Sequence, residues 1–286
     1  MYLALRDIRF ARGRFALVVG VVALVMLLTG FLAGLAGGLA KQNVSAVLET
    51  DADRVVFGMP AGERPSFGDS RLTAPQLDAW AARPGVEEAV PIGVGRGALG
   101  LPGQQERLVP VALFGAPAGW RGTVPAEGEG IALAEATAQR LGVGVGDEVE
   151  LAGSPFRVAA VTPGQMYAHQ EAAWLPDGDY REAMASMRQQ APEATVLLVS
   201  GSEVDWTAAD AEAGTVSQPL LPALLAIESF RSEIGSLGLM IGMLFLIGAL
   251  VVGVFFLVWS LQRQRDLAVL KALGASDRML RADAFG

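Results

Sequence analysis

Two stretches of the chain carry no ionisable side chain. Phe15 to Ala40 runs for 26 residues and Ile234 to Gln262 for 29, without one Asp, Glu, Lys, Arg or His. Seventeen residues of the second run are Leu, Ile, Val or Phe. At roughly −0.3 to −0.6 kcal/mol each near a bilayer centre, they favour insertion by about 5–10 kcal/mol, an upper bound because the ends contribute less. A helix rises ~1.5 Å per residue, so the run reaches about 43 Å and crosses a ~30 Å hydrocarbon core with some tilt. The pattern predicts two transmembrane helices, at residues 15–40 and within a stalk-and-span segment at 222–262. For the first run a cleaved signal peptide is the rival reading. Its apolar length far exceeds the ~7–15 residues of a signal peptide, which favours a retained span.

Between the runs the pattern changes to short apolar segments punctuated by glycine and proline. Lys41 to Glu49 continues the first helix, and Arg54 to Gly58 is a strand. Thr73 and Gln76 fit a capping box, with Leu72 and Leu77 as a hydrophobic staple, opening a helix to about Arg83. Val86 to Leu99 and Arg107 to Phe114 read as strands, with Pro110 marking an edge or a bulge. Glu129 to Leu151 predicts a strand, a helix from about Ala134, a stop at Gly142, a turn at Gly146-Asp147 and a further strand. Phe156 to Val161, Ala173 to Leu175 and Thr195 to Val199 add strands, Tyr180 to Arg188 a helix, and a helix from about Pro222 runs straight into the second span. Strands and helices mixed without regular βαβ alternation give an α+β domain over residues 41–221, flanked by the two membrane helices.

Charge sets the orientation. The net charge of −8 divides into +3 for residues 1–40, −13 for 41–233 and +2 for 234–286. Arg6, Arg9, Arg12 and Arg14 precede the first span, and Arg263, Arg265 and Lys271 follow the second. Basic flanks stay cytoplasmic, which places both termini inside and residues 41–233 outside the cell membrane in a multi-pass arrangement. Residues 1–14 read as a short cytoplasmic interfacial helix in contact with membrane lipid. Basic ends around an acidic middle argue against nucleic acid as a partner, because a phosphate-binding face needs clustered Lys and Arg.

Candidate chemistry is sparse. The chain has no cysteine and one histidine, His169, so neither a thiolate metal site nor a multi-histidine site is available. His169 reads as a satisfied surface or loop residue. Gly142-Val-Gly-Val-Gly146 follows a helix rather than preceding one, which is wrong for a phosphate loop. No catalytic residue, metal or cofactor is expected. Gly30, Gly34 and Gly38, with Gly238 and Gly242, recur every four residues. That spacing serves helix packing, within the chain or across a dimer, or else reflects the abundance of glycine in membrane helices. Behind the second span, residues 263–275 form an amphipathic basic segment ended by glycine. Such a segment grips a cytoplasmic partner or is a solvated tail on a simple anchor.

Three patches resemble one family. Leu3-Ala-Leu-Arg-Asp-Ile-Arg with Arg12-Gly-Arg-Phe, Ile131 to Ala136 through Gly146-Asp147, and Arg265-Asp-Leu-Ala-Val-Leu-Lys-Ala-Leu-Gly-Ala275 are similar to the FtsX-like/MacB-like ABC transporter permeases, nearest the DevC and haem-exporter branch. The third patch follows E-x-G-x-[LM]-[RK]-A-[LI]-G-A, with Asp266 for Glu and Ala268 for Gly. The resemblance implies a MacB-like periplasmic core domain and a non-catalytic membrane subunit served by a separate cytoplasmic ABC ATPase, with a second permease copy as a further partner. It implies that Arg265, Asp266, Leu267, Leu270, Lys271, Leu273 and Gly274 form the ATPase-coupling segment, through which motion reaches the outer domain to export a substrate. A regulatory scaffold for a partner such as a cell-wall hydrolase is the alternative. The family carries two more spans after this segment, so either the sequence is a piece of a longer protein or those spans lie elsewhere.

Overall fold

The computed structural model describes residues 12–59, 62–272 and 274. The chain divides into two compact units, residues 38–233 and the helical segments on either side. In the helical unit, α1 (Arg12–Leu48, 37 residues) and the last helix, α7 (Glu228–Ala272, 45 residues), contain the apolar runs. Their most apolar 18-residue stretches have mean hydropathies of 2.7 and 2.9 and are 0% and 6% buried. A core helix of a soluble domain hides such residues; here Leu27, Phe31 and Leu239 are each about 70% exposed or close to it. Apolar surface on that scale requires lipid or another protein around it.

The sheet unit follows the chain order β1 (Arg54–Phe57), α2 (Ala74–Ala81), β2 (Val86–Leu101), β3 (Gln104–Ala116), β4 (Ile131–Ala134), α3 (Glu135–Leu141) and β5 (Glu148–Leu151). It continues with β6 (Ser154–Thr162), β7 (Met166–Tyr167), β8 (Gln170–Pro176), α4 (Asp177–Ser186), β9 (Val196–Gly201), α5 (Trp206–Ala213), β10 (Val216–Pro219) and the one-turn α6 (Leu220–Ala223). Strand order is β10-β1-β9-β2-β3-β8-β4-β6-β5, with β7 on β8. β2 is shared. Its first half pairs antiparallel with β9, from Val86↔Gly201 to Ile92↔Val196, and its second half with β3, from Gly93↔Gly115 to Leu101↔Gln104. Leu99↔Leu151 joins β5 back to β2 and closes β2, β3, β8, β4, β6 and β5 into a ring.

Side-chain alternation sorts the core. Val55, Phe57, Ile92, Val196 and Leu198 face one apolar cluster, while Val56, Leu197 and Val199 face another beneath α2 and α5, with Trp80 and Ala209. Val111, Leu113, Leu133, Ala173 and Leu175 fill the ring, while Ala112, Phe114, Ala132, Ala172 and Trp174 point out of it toward the first cluster. Gly93 and Gly115 lie opposite each other, and a Cβ on either would stand 2.4 Å from the Tyr180 ring. This glycine pair is the slot that lets α4 lie flat on the ring.

Most expected elements are present. Gln76 Oε1 accepts from the Thr73 N–H at 3.0 Å, and Leu72 and Leu77 pack in one cluster as the staple requires. Pro110 sits one residue before the β3–β8 ladder begins, where β3 still has a free edge. Gly142 (φ +74) ends α3 and Gly146 (φ +97) makes the turn into β5, conformations that favour glycine. Two expectations shift. The helix placed at Tyr180–Arg188 runs from Asp177 to Ser186. The helix placed at Pro222 is broken: Ile227 is extended (φ −82, ψ 110) and α7 starts at Glu228. Around the break Ala223, Leu224, Ala226 and Ile227 all enter the first cluster.

Candidate functional site

The expected coupling segment continues α7. Arg265, Asp266, Leu267, Leu270 and Lys271 have helical backbone, Gly274 is left-handed (φ +96), and Leu273 lies outside the described residues. Three- and four-residue spacing puts Leu267, Leu270 and Lys271 on adjoining positions of that helix. The expected interfacial helix falls on residues 1–14, of which 1–11 lie outside the described residues and Arg12–Arg14 open α1.

The glycine positions are open. Among the described residues, and apart from the helix's own adjoining backbone, nothing comes within 4 Å of a Cβ built on Gly30, Gly34, Gly38, Gly238 or Gly242. The two membrane helices instead touch at Gly248, where Val25 Cγ1 is 3.4 Å from a Cβ built on the glycine. That contact falls on a glycine outside the expected pairs.

A dense polar site lies inside the sheet unit, where α1 ends and α7 begins. Asn43 to Val47 are buried on all sides of α1. Asn43 is 0% exposed. Its Nδ2 donates to Glu233 Oε2 at 2.7 Å and lies 3.0 Å from His169 Nε2. Its Oδ1 accepts from the Ser229 hydroxyl at 2.6 Å. His169 Nε2 also contacts Glu233 Oε1. The β7–β8 turn docks on the same helix end: Ala168 N–H donates to Asn43 O at 3.0 Å and His169 N–H to Gln42 O at 3.1 Å. Two further ties follow, Met166 N–H to Ser45 Oγ and Gln165 Nε2 to Glu49 Oε2, both 2.8 Å. Ala168 (φ +49) and His169 (φ +63) are both left-handed. For a residue with a Cβ that conformation costs ~1–2 kcal/mol, which the α1 carbonyls help offset. Beside them, burial drives the Tyr167 phenol upward in pKa, outweighing the lowering effect of Arg96.

His169 therefore does sit in a loop, but as part of a four-residue hydrogen-bond cluster. No local sequence signal announces it, since Asn43, His169 and Glu233 are far apart in the chain. Among the described residues, no three acidic or histidine side chains gather as a metal would require. A separate cavity of about 360 Å³ opens between the β2–β3 and β5–β6 turns, lined by Leu101, Leu108, Leu151, Met187, Gln104 and Glu150.

Comparison with known proteins places this architecture. The family profile described as MacB-like periplasmic core domain matches residues 15–215. The "Putative hemin transport system permease protein HrtB" of Staphylococcus epidermidis is 23% identical over 98% of this chain and 78% of its own length. An uncharacterised ABC transporter permease of Mycobacterium tuberculosis is 26% identical over 99% of this chain and 79% of its own. The periplasmic region of MacB from Actinobacillus actinomycetemcomitans aligns over 64% of this chain and 98% of that one, at 14% identity and a TM-score of 0.42. The profile spans well over half of the residues, and with two exposed apolar helices flanking the α+β domain the chain is a membrane protein that belongs to the MacB-like family, an ABC transporter permease of the MacB and HrtB type.

Proposed function

We propose that this chain is the membrane subunit of an exporter whose energy comes from a separate cytoplasmic ABC ATPase. The ATPase dimer closes on nucleotide, the coupling segment from Arg265 to Gly274 follows it, and α7 carries the motion to the sheet unit outside the membrane. One observation supports this most: α7 is one unbroken helix from Glu228, at the base of the sheet unit, through the apolar span to Ala272 in the coupling segment. At ~1.5 Å per residue such a helix is about 67 Å long, enough to connect the two faces of a membrane. The basic flanks favour cytoplasmic ends and an outer sheet unit.

Leu267, Leu270 and Leu273 supply the apolar contact to the ATPase, with Asp266, Lys271 and Arg265 around it. The membrane helices pack in lipid, and the uncovered faces at Gly30, Gly34, Gly38, Gly238 and Gly242 suit close approach of a second permease copy. Hemin, named for the staphylococcal relative, is the substrate to assay first. The chain itself supplies no catalytic group to the reaction.

The test is Leu270→Asp. A charge in an apolar coupling contact costs several kcal/mol and removes the ATPase from the complex. The expected result is loss of ATPase co-purification with the sheet unit still folded by circular dichroism. Unchanged co-purification contradicts the coupling assignment. In the parent complex, hemin-stimulated ATP hydrolysis marks a transporter, whereas hydrolysis indifferent to every solute marks a regulatory scaffold.

A further inference from the structure

The geometry points to Asn43 as a positioning residue that, with Ser229, Glu233 and His169, locks the outer end of α1, the first turns of α7 and the β7–β8 turn into one moving body. This rests on the transmission reading above and names the joint at which it enters the sheet unit.

Three features carry it. First, the cluster ties Asn43 on three sides. A buried amide left unpaired is costly, and here Asn43 uses its Nδ2, its Oδ1 and its backbone carbonyl on three different partners. Second, Glu233 is the shared acceptor: with a proton on His169 Nε2, Asn43 Nδ2 gives its hydrogen to Glu233 Oε2 rather than to the ring 3.0 Å away. A carboxylate only accepts, so His169 Nε2 must carry a proton for its contact with Glu233 Oε1 to form. Glu233 then bridges two elements, taking Asn43 on Oε2 and His169 on Oε1. Ser229 and Glu233 are four residues apart and so lie on one face of α7. Third, the joint continues into the sheet. Gln165 accepts from Trp174 Nε1 at 2.8 Å while donating to Glu49. Trp174 belongs to β8, which pairs with β3 over six residues, Val111↔Glu171 to Ala116↔Pro176. A push on the α1 end therefore has a hydrogen-bonded route to β8 through Glu49, Gln165 and Trp174.

The chain contains no cysteine, so labels can be placed singly. Pro163→Cys and Ser232→Cys, both exposed, put spin labels on the hairpin side and the α7 side of the joint. The full chain in lipid vesicles is measured by pulsed electron paramagnetic resonance, alone and with its ATPase and ATP. The expected result is one narrow distance distribution in the parent, unchanged by ATP. Asn43→Ala and Glu233→Ala broaden it even without ATPase, and Glu233→Gln, which keeps an acceptor for Asn43, restores it with the same thermal midpoint. Should Asn43→Ala fail to fold, Ser229→Ala removes a single bond of the cluster and broadens the distribution less. A parent distance that changes on ATP binding overturns the proposal, as does an unaltered distribution in Asn43→Ala and Ser229→Ala. The Leu270→Asp result fails or holds separately, because it reads ATPase attachment and not this distance.

Discussion

At the scale of single residues, the sheet unit depends on a few tightly fitted aromatic groups. Tyr180 is 1% exposed and lies in the slot left by Gly93 and Gly115. Among the described residues its hydroxyl has no partner in hydrogen-bonding geometry, and Thr195, which stands nearby, is occupied by both the N–H and the carbonyl of Val94. Burial pushes the Tyr180 phenol from 10.0 up to about 12, more than the opposing pull of Arg71 and the approach of Thr195 can offset. The unfolded chain releases this proton near 10 and the folded chain near 12. Stability from this group is complete below pH 10 and is lost as pH rises toward 12, by an amount on the order of 3 kcal/mol. Tyr167 acts in the same direction. Tyr180→Phe is expected to fold normally, since it removes an unpaired hydroxyl, and to lose less stability than the parent between about pH 10 and 12. Thermal unfolding followed by tryptophan fluorescence across that range checks it; identical alkaline limbs contradict it.

At the scale of elements, local signals were readable and long-range ones were not. The two apolar helices follow from composition alone, and β4, α3 and β5 from the spacing of Gly142 and Gly146 around an apolar strand. Residues 206–219 carry an unforeseen helix and strand, α5 and β10, because Trp206–Ala213 is short and β10 is defined only by pairing with β1. The break at Ile227 was hidden as well, in a segment that packs into the first cluster. The alternation of Gly93, Gly95 and Gly97 in β2 was a usable signal, since three glycines on one face of a strand mark a place where something lies close. The contact between α1 and α7 falls at Val25 and Gly248 rather than at the repeated glycines, which makes a direct prediction. Val25→Cys with Gly248→Cys is expected to form an intrachain disulfide under mild oxidation, while Gly34→Cys with Gly242→Cys is not. Non-reducing electrophoresis after cleavage between the helices reads the difference, and the opposite pattern contradicts the packing.

At the scale of the whole molecule, the sequence supplied the family and the class, and the structure added the ends of the helices. α1 does not stop at the limit of its apolar run; its last turns are buried in the core of the sheet unit, with Val44, Ala46 and Val47 in the largest cluster. α7 starts beside Ile227 in the same cluster. An anchor needs neither feature, because a flexible linker tethers a domain equally well. A device that moves the domain needs both, since a loose linker absorbs displacement. The function proposed here requires α7 to leave the sheet unit on one side of the membrane and reach the coupling segment on the other. The most direct measurement is labelling of intact cells with a membrane-impermeant maleimide, using Ala79→Cys on α2 and Gln264→Cys just behind the second span, both exposed positions. The account predicts that Ala79→Cys reacts in intact cells and Gln264→Cys only after permeabilisation. Equal reaction of both in intact cells would contradict it.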